Sequence, residues 1–430
     1  MKLSIFKRAL IIAVCLVWFF SLTTKAQPYT LNFKKKFDTS KLANPNALNK
    51  IDKLILTQIN DGVFPGCQVI GVHKGEVIYN KQFGTLDYDI NKPVKAETIY
   101  DIASISKILA TTLAIMKLYE EEEIHISHYA KQYLPFIEGS NKTHLTIKGL
   151  LLHEGGLKAW IPFYKETLDE ENRPLSTIYQ QKPYEFYRLA VAPSLFMDVR
   201  YMNSVWQEIM NSPVGRMNYV YSDLDFYFLE RIVRKVADQE LDQYLNKHFY
   251  EPLALTRTLF NPWRKGLISA CAPTEIDNYF RHQTIQGFVH DQGAAMLGGV
   301  AGHAGLFSNA EEVAILMQML MNGGVYQNKR YLKEETIKEF TSYQSPKSRR
   351  GLGFDKPEKR GKDGPTSDKA SSSTFGHLGF TGTVTWADPE NELVYVFLSN
   401  RTYPSARNNL LARSKTRKIL HDYFYEAIGL

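Results

Sequence analysis

The stretch Asp101–Glu120, "DIASISKILATTLAIMKLYE", decides the reading of this chain. Ser104 and Lys107 stand at i and i+3, so on a helix they are surface neighbours one turn apart. Beyond Lys107 the helix is apolar nearly all round: Ile108, Leu109, Leu113, Ile115, Met116 and Leu118, with Ala110 and Ala114 between them. A helix with so little polar face is a buried one. A hydroxyl and an amine therefore sit at the mouth of a core helix, where a polar pair needs a chemical reason. A serine is a weak nucleophile until a neighbour takes its proton. A lysine one turn away, desolvated by the core, can have its pKa lowered toward that task, and the helix N-terminus favours developing negative charge. A second S-x-x-K, Ser4–Lys7, lies near the N-terminus and shows how easily the bare pattern arises.

The surrounding chain can support such a core. It has 430 residues, 44% hydrophobic and 23% charged, which is ordinary for a globular protein. The formal charge is +7, but Lys2, Lys7, Arg8 and Lys25 fall in the first 26 residues without an acid, leaving about +3 for the rest. That balance, with no basic stripe carrying interleaved aromatics, argues against nucleic acid as a partner. "MKLSIFKRALIIAVCLVWFFSLTTKAQ" reads as a secretory signal: a basic start, an apolar stretch from Ala9 to Leu22, then Thr24-Lys25-Ala26 before Gln27. The stretch is shorter than the roughly 20 residues a span requires. Residues 1–26 are thus expected to be removed, giving a periplasmic or secreted protein with no stable membrane span. Cys67 and Cys271 then remain, far apart and without a disulfide framework, and are expected to be buried free thiols.

Residues 27–45 are polar and basic, and read as a loosely held arm. "ALNKIDKLILTQINDG" (Ala47–Gly62) is periodic as a helix, with Ile51, Leu54, Ile55 and Ile59 on one face. Two β-rich runs joined at His73-Lys74-Gly75-Glu76 read as a hairpin. The region about 120–340 reads as a mostly helical insertion with aromatic-rich loops. Its clearest helices are "YSDLDFYFLERIVRKVADQ" and "NAEEVAILMQMLMNGG", the second capped at Ser308 or Asn309 and stopped at Gly323-Gly324. Ser345–Ser373, rich in Gly, Ser and Lys, reads as a surface loop. Strands return in "TFGHLGFTGTVTWADPENELVYVFLSNR", and a helix near Asn408–Ile428 closes the chain. Strands at both ends with helices between predict an α+β fold: one antiparallel sheet built from both termini, flanked by helices, spanning 46–430.

Three further segments accompany Ser104–Lys107. "YVYSDLDF" places Tyr221-Ser222-Asp223 at a helix start, and "FGHLGFTGT" places His377-Leu378-Gly379 on a strand. Glycine-rich turns surround His153 and His303, which read as loop-fixing histidines. In this order the segments resemble the serine β-lactamase and penicillin-binding protein family, in its class C and D-alanyl-D-alanine peptidase-like branch. That pattern is S-x-x-K, then Y-[AS]-N, then [KH]-T-G, and the resemblance covers roughly residues 45–425. It implies the β-lactamase/transpeptidase-like fold and an acyl-enzyme on Ser104. Lys107 and Tyr221 would share proton transfer, and Asp223, where the family usually has asparagine, would contact substrate or Lys107. His377 and Gly379 would bind substrate, the former through its carboxylate. The N–H groups of Ser104 and Phe380 would form the oxyanion hole. No metal or cofactor is implied.

The departures matter. Leu378 removes a hydroxyl that could hold a carboxylate, Asp223 adds negative charge, and His377 would change charge between about pH 6 and 8 if unperturbed. These features point to an exported serine hydrolase acting on cell-wall-derived D-amino-acid peptides, peptidoglycan fragments included, or on related small amides and esters. A β-lactamase, and a non-turnover binding or sensor protein on the same scaffold, are the alternatives. Tyr201-Met202-Asn203 is a rival to Tyr221, and Ser106 to Ser104. His125 and His128 have H-x-x-H spacing, but no third ligand marks a zinc site.

Overall fold

The computed structural model describes residues 28–88, 92–359 and 363–430; the expected signal segment lies outside them. Helix α1 (Asn46–Asn60) leads into strands β1 (Gly66–His73) and β2 (Glu76–Gly84). Lys74 and Gly75 both adopt positive φ, 50° and 70°, which matches the right-handed twist of a tight hairpin. Helices α2 (Thr112–Glu120), α3 (Asp223–Ala237) and α4 (Ala310–Met321) come next in the chain. Strands β3 (Phe375–Leu378), β4 (Val384–Asp388) and β5 (Leu393–Ser399) and helix α5 (Thr416–Ile428) complete the frame. The five strands form one antiparallel sheet in the order β3-β4-β5-β1-β2, so the two ends of the chain meet at the β1–β5 pair. Among the described residues no helix is long and apolar enough to cross a membrane.

Alternation along the strands builds two cores. Cys67, Val69, Tyr79, Val384, Trp386, Tyr395 and Phe397 face α1 and α5. Ile70, Val72, Val394, Val396 and Leu398 face the larger core, which holds α2, α3 and α4. Helix α4 is capped by Asn309, whose side chain accepts from Glu312 N at 2.9 Å, and ends at Gly323 and Gly324, both with positive φ. Cys67 and Cys271 are free and buried.

Several sequence expectations need correction. The arm is docked: Tyr29 donates to Glu392 Oε1 at 2.8 Å, and Leu31 N donates to Tyr326 at 3.1 Å. The middle region holds the expected helices and also a three-stranded sheet, Tyr179–Gln180, Tyr187–Ala192 and Leu195–Asp198. Ser345–Ser373 is not all surface, because Arg350–Pro357 is buried beside β3. The closing helix breaks at Lys415 (φ 52°) into Leu410–Arg413 and α5.

The sheet and α5 fit through a glycine. A Cβ at Gly71 would lie 2.2 Å from the Phe424 ring, so the ring packs directly on β1. Phe424 is fully buried between Tyr79 and Tyr395. Phe424→Ala should therefore lower stability by about 3–5 kcal/mol through lost burial and a residual cavity. Urea unfolding monitored by circular dichroism should show a lower midpoint with the slope little changed.

Candidate active site

The core helix begins irregularly. Ala103 has φ 47°, a conformation that is costly for a residue with a Cβ. Asp101 sustains it, accepting Ala103 N on Oδ1 at 2.8 Å. Lys107–Thr111 then forms one π-helical turn before α2, a local widening common at functional positions. The strained residue presents Ser104 at the head of this turn. Ser106 is fully buried, its hydroxyl accepting Leu306 N at 3.0 Å, so it holds the neighbouring strand rather than facing solvent.

Lys107 is fully buried, and its ammonium donates in three directions: Ser104 Oγ at 3.1 Å, Asp223 Oδ1 at 2.7 Å and the His303 carbonyl at 3.0 Å. Burial works to strip the proton, but Asp223 and Tyr221 more than offset it, and the pKa is held above its ordinary value. This corrects the expectation of a lowered lysine: it is a cation in the resting site. Tyr221 is half-buried beside it, with Lys107 Nζ 5.0 Å from the ring centre. Burial pushes the Tyr221 phenol up, while Lys107 and Ser104 favour its anion.

Tyr221 and Asp223 are positioned by a histidine clamp. His153, at φ 56°, accepts Val220 N on its carbonyl at 3.0 Å and Ser222 N on Nδ1 at 3.2 Å. Asp225 Oδ2 lies 3.0 Å from the same ring nitrogen. Burial pushes Asp225 well above the usual carboxylate range and His153 well below the usual imidazole range, favouring the neutral form of each. Ser222 caps α3, accepting Leu224 N at 3.1 Å. The expected loop-fixing role of His153 is thus visible in its bonds.

The turn after β3 is tied to the segment before Ser104. Thr381 Oγ1 donates to Asp101 O at 2.7 Å, and Thr383 Oγ1 to Ile102 O at 3.1 Å. Gly379 lets the two backbones approach, since a Cβ there would meet Thr383 Oγ1 at 2.0 Å and Ile102 O at 2.5 Å. Phe380 is carried to the cavity rim by this turn. Among the described residues, neither Ser104 N nor Phe380 N is consumed by a backbone hydrogen bond.

His377 does not reach the cavity. It is 3% exposed, with Nδ1 donating to Leu378 O at 2.7 Å and Nε2 accepting Arg350 Nη1 at 3.0 Å. Burial, reinforced by the Arg350 charge, pushes it down to about 3. The expected change of charge between pH 6 and 8 therefore does not occur, because the ring has no solvent and a cation beside it. Arg350, missed in the sequence, lies 5.3 Å from the Tyr221 ring centre and pairs with Asp355. The rival Tyr201 caps another helix and does not line the cavity.

The cavity beside Ser104 measures about 440 Å³ and is lined by Tyr221, Asp223, Trp160, Tyr164, Tyr279 and Phe380, among others. The cavity thus brings together a hydroxyl on a strained turn, an ammonium, a phenol and two N–H groups without a backbone partner among the described residues. The class to which this fold and arrangement correspond is the serine β-lactamase and penicillin-binding protein family. The chain belongs to the Beta-lactamase family, whose pattern it matches over residues 51–417. It is 33% identical over 388 residues to a protein of Escherichia coli K12 named "Putative D-alanyl-D-alanine carboxypeptidase", covering 84% of this chain and 83% of that one. A protein of Salmonella typhimurium with the same name is 30% identical, covering 86% and 85%. Its fold is shared with a penicillin-binding protein homologue from Pyrococcus abyssi (TM-score 0.62, 19% identity, covering 86% of this chain and 78% of that one) and with the hydrolase EstCE1 (0.63, 18%, covering 87% and 98%).

The charge balance at Lys107 generates a pH test. Tyr221 rests protonated beside a charged Lys107, so the phenolate form grows as pH rises and kcat/KM for an ester should climb through the alkaline range. No step near pH 6–8 is expected from His377. Asp223→Asn removes the negative charge that raises the Tyr221 phenol, leaving Lys107 and Ser104 to favour the phenolate. The climb should move to lower pH by at least about one unit, equivalent to about 1.4 kcal/mol. A pH profile of p-nitrophenyl acetate hydrolysis for both proteins checks this.

Proposed function

We propose that the chain is an exported serine hydrolase that works through an acyl-enzyme on Ser104, with short peptides ending in D-amino acids and related amides and esters as substrates. The observation that carries this reading is the Ser104–Lys107 contact at 3.1 Å, set beside the unused N–H groups of Ser104 and Phe380. The names of the relatives support the D-amino-acid peptide class, and the basic, apolar N-terminal segment supports export to the periplasm or exterior.

In this scheme the phenolate form of Tyr221, its proton given up to solvent, accepts the Ser104 proton as Oγ attacks the carbonyl carbon. Lys107 stays charged and stabilises both the phenolate and the developing alkoxide. The carbonyl electron pair moves onto oxygen, where the Ser104 and Phe380 N–H groups receive it. Collapse expels the leaving amine or alcohol, which takes the proton back from Tyr221. Water then repeats the sequence against the acyl-enzyme, with Tyr221 again taking and returning the proton. Asp223 keeps Lys107 charged, Gly379 permits the oxyanion turn, and His377 supports Arg350 beneath Tyr221. A binding-only protein would have no use for this complete set.

Ser104→Ala should abolish covalent labelling by a fluorophosphonate probe, with the thermal transition nearly unchanged. Intact-mass spectra of wild type after exposure to a D-Ala-D-Ala peptide, an ester and a β-lactam should show adducts on Ser104 alone. Labelling that persists in Ser104→Ala would overturn the assignment. Rapid nitrocefin turnover would favour a β-lactamase over a peptidase.

A further inference from the structure

The cavity beside Ser104 has a chemistry that the hydrolytic scheme leaves unused. Its walls include Trp160, Tyr164, Tyr279 and Phe380, and its remaining lining includes Asp291, His290 and Gln292. Trp160 and Phe380 are 44% and 55% exposed, an unusual amount of aromatic surface to leave open at a reaction centre. Asp291 accepts Ala294 N at 2.7 Å and His303 Nε2 at 2.8 Å, both on Oδ1. No such bond falls on Oδ2 among the described residues, and the side chain remains 25% exposed. Although burial works against the charge, His303 and the hydrogen bonds on Oδ1 hold Asp291 below the usual carboxylate range, so it is ionised.

The cations around this cavity are committed elsewhere. Lys107 spends its three donors as described. Arg281 is buried on Asp277 and the carbonyls of Val289 and His290. Arg401 packs on Phe380 and donates to the carbonyls of Phe380, Ala406 and Asn408. His290 is 5% exposed and walls the cavity. Its Nδ1 is buried without a hydrogen-bond partner, and burial, with Arg281 nearby, pushes the ring down to about 4. It is therefore a neutral ring with an unused acceptor or donor.

We propose that this cavity is an ammonium subsite, in which the Asp291 carboxylate and the aromatic side chains of Trp160, Tyr164 and Tyr279 select substrates whose cavity-filling part carries an alkylammonium group. Aromatic faces attract cations and accept their methylene chains, and an ionised carboxylate beside them supplies the matching charge. A substrate carboxylate in the same space would meet Asp291 and Asp223, with no uncommitted cation among the described residues of the cavity wall to hold it. The proposal rests on the reading of Ser104 as nucleophile for its meaning, but the binding it describes does not require turnover.

The test uses the full chain carrying Ser104→Ala, titrated calorimetrically with n-pentylammonium, 1-pentanol and pentanoate. The ammonium ion is expected to bind roughly tenfold more tightly than the alcohol, and pentanoate more weakly than either. Adding Asp291→Asn should abolish that preference, since asparagine keeps an oxygen for His303 and loses the charge. Trp160→Leu, at an exposed position, should weaken ammonium binding several-fold and serves if the Asp291 variant does not fold. Equal binding of ammonium and alcohol, tighter binding of pentanoate, or a preference that survives both substitutions would overturn the subsite. Absence of Ser104 labelling in the wild type, with ammonium binding intact, would instead overturn the nucleophile and leave the subsite standing.

Discussion

The architecture of the site depends on one buried ammonium. A lysine amine with no exposed surface must find an acceptor for each proton or lose its charge. Lys107 finds them on three segments distant in sequence: its own helix turn through Ser104, the start of α3 through Asp223, and the turn carrying His303. Each is held by other bonds, so satisfying the lysine fixes the distance between the core helix and α3, whose start Tyr221 precedes. The π-helical turn at Lys107–Thr111 and the strained Ala103 are the local conformations that accompany this placement.

Much of this was legible in the sequence because it is written in local terms. The apolar wrap after Lys107, the Asn309 cap, the Lys74-Gly75 turn and the alternation of the closing strands each state their own element. The order of Ser104–Lys107, Tyr221–Asp223 and His377–Gly379 carried the family resemblance. What stayed hidden depends on who sits next to whom. His377 titrates near neutrality by its residue type, and only burial against Arg350 removes that behaviour. Lys107 reads as a base until its anionic neighbour is seen. Arg350 sits in a stretch whose composition resembles a solvated loop, yet it is 3% exposed. The aromatic walls come from separate loops with no shared periodicity, so no pattern gathers Trp160, Tyr279 and Phe380. The short sheet at 179–198 did have a signal, a Pro-Ser turn between two β-rich runs, which the neighbouring helices obscured.

Around the nucleophile, positive and negative groups come in matched couples. Lys107 faces Asp223, and Arg350 faces Asp355. Such couples keep the interior close to neutral while leaving strong local fields, which orient a polar bond without demanding a net charge from the substrate. The neutral His153–Asp225 pair lies behind them and adds rigidity without adding field.

The meeting of β1 with β5 has a consequence for how the chain acquires its structure. Cys67 lies opposite Ser399 and His73 opposite Leu393, so the central pairing of the sheet joins segments separated by most of the sequence. Closing a loop of that size is entropically slow, and chains dominated by distant pairings reach the native state late. A nascent chain emerging from the ribosome holds β1 and β2 with no inner partner until the last strands are made. The frame therefore cannot close before β5 is made, and a chain lacking β5 would leave β1 an open edge available to other chains.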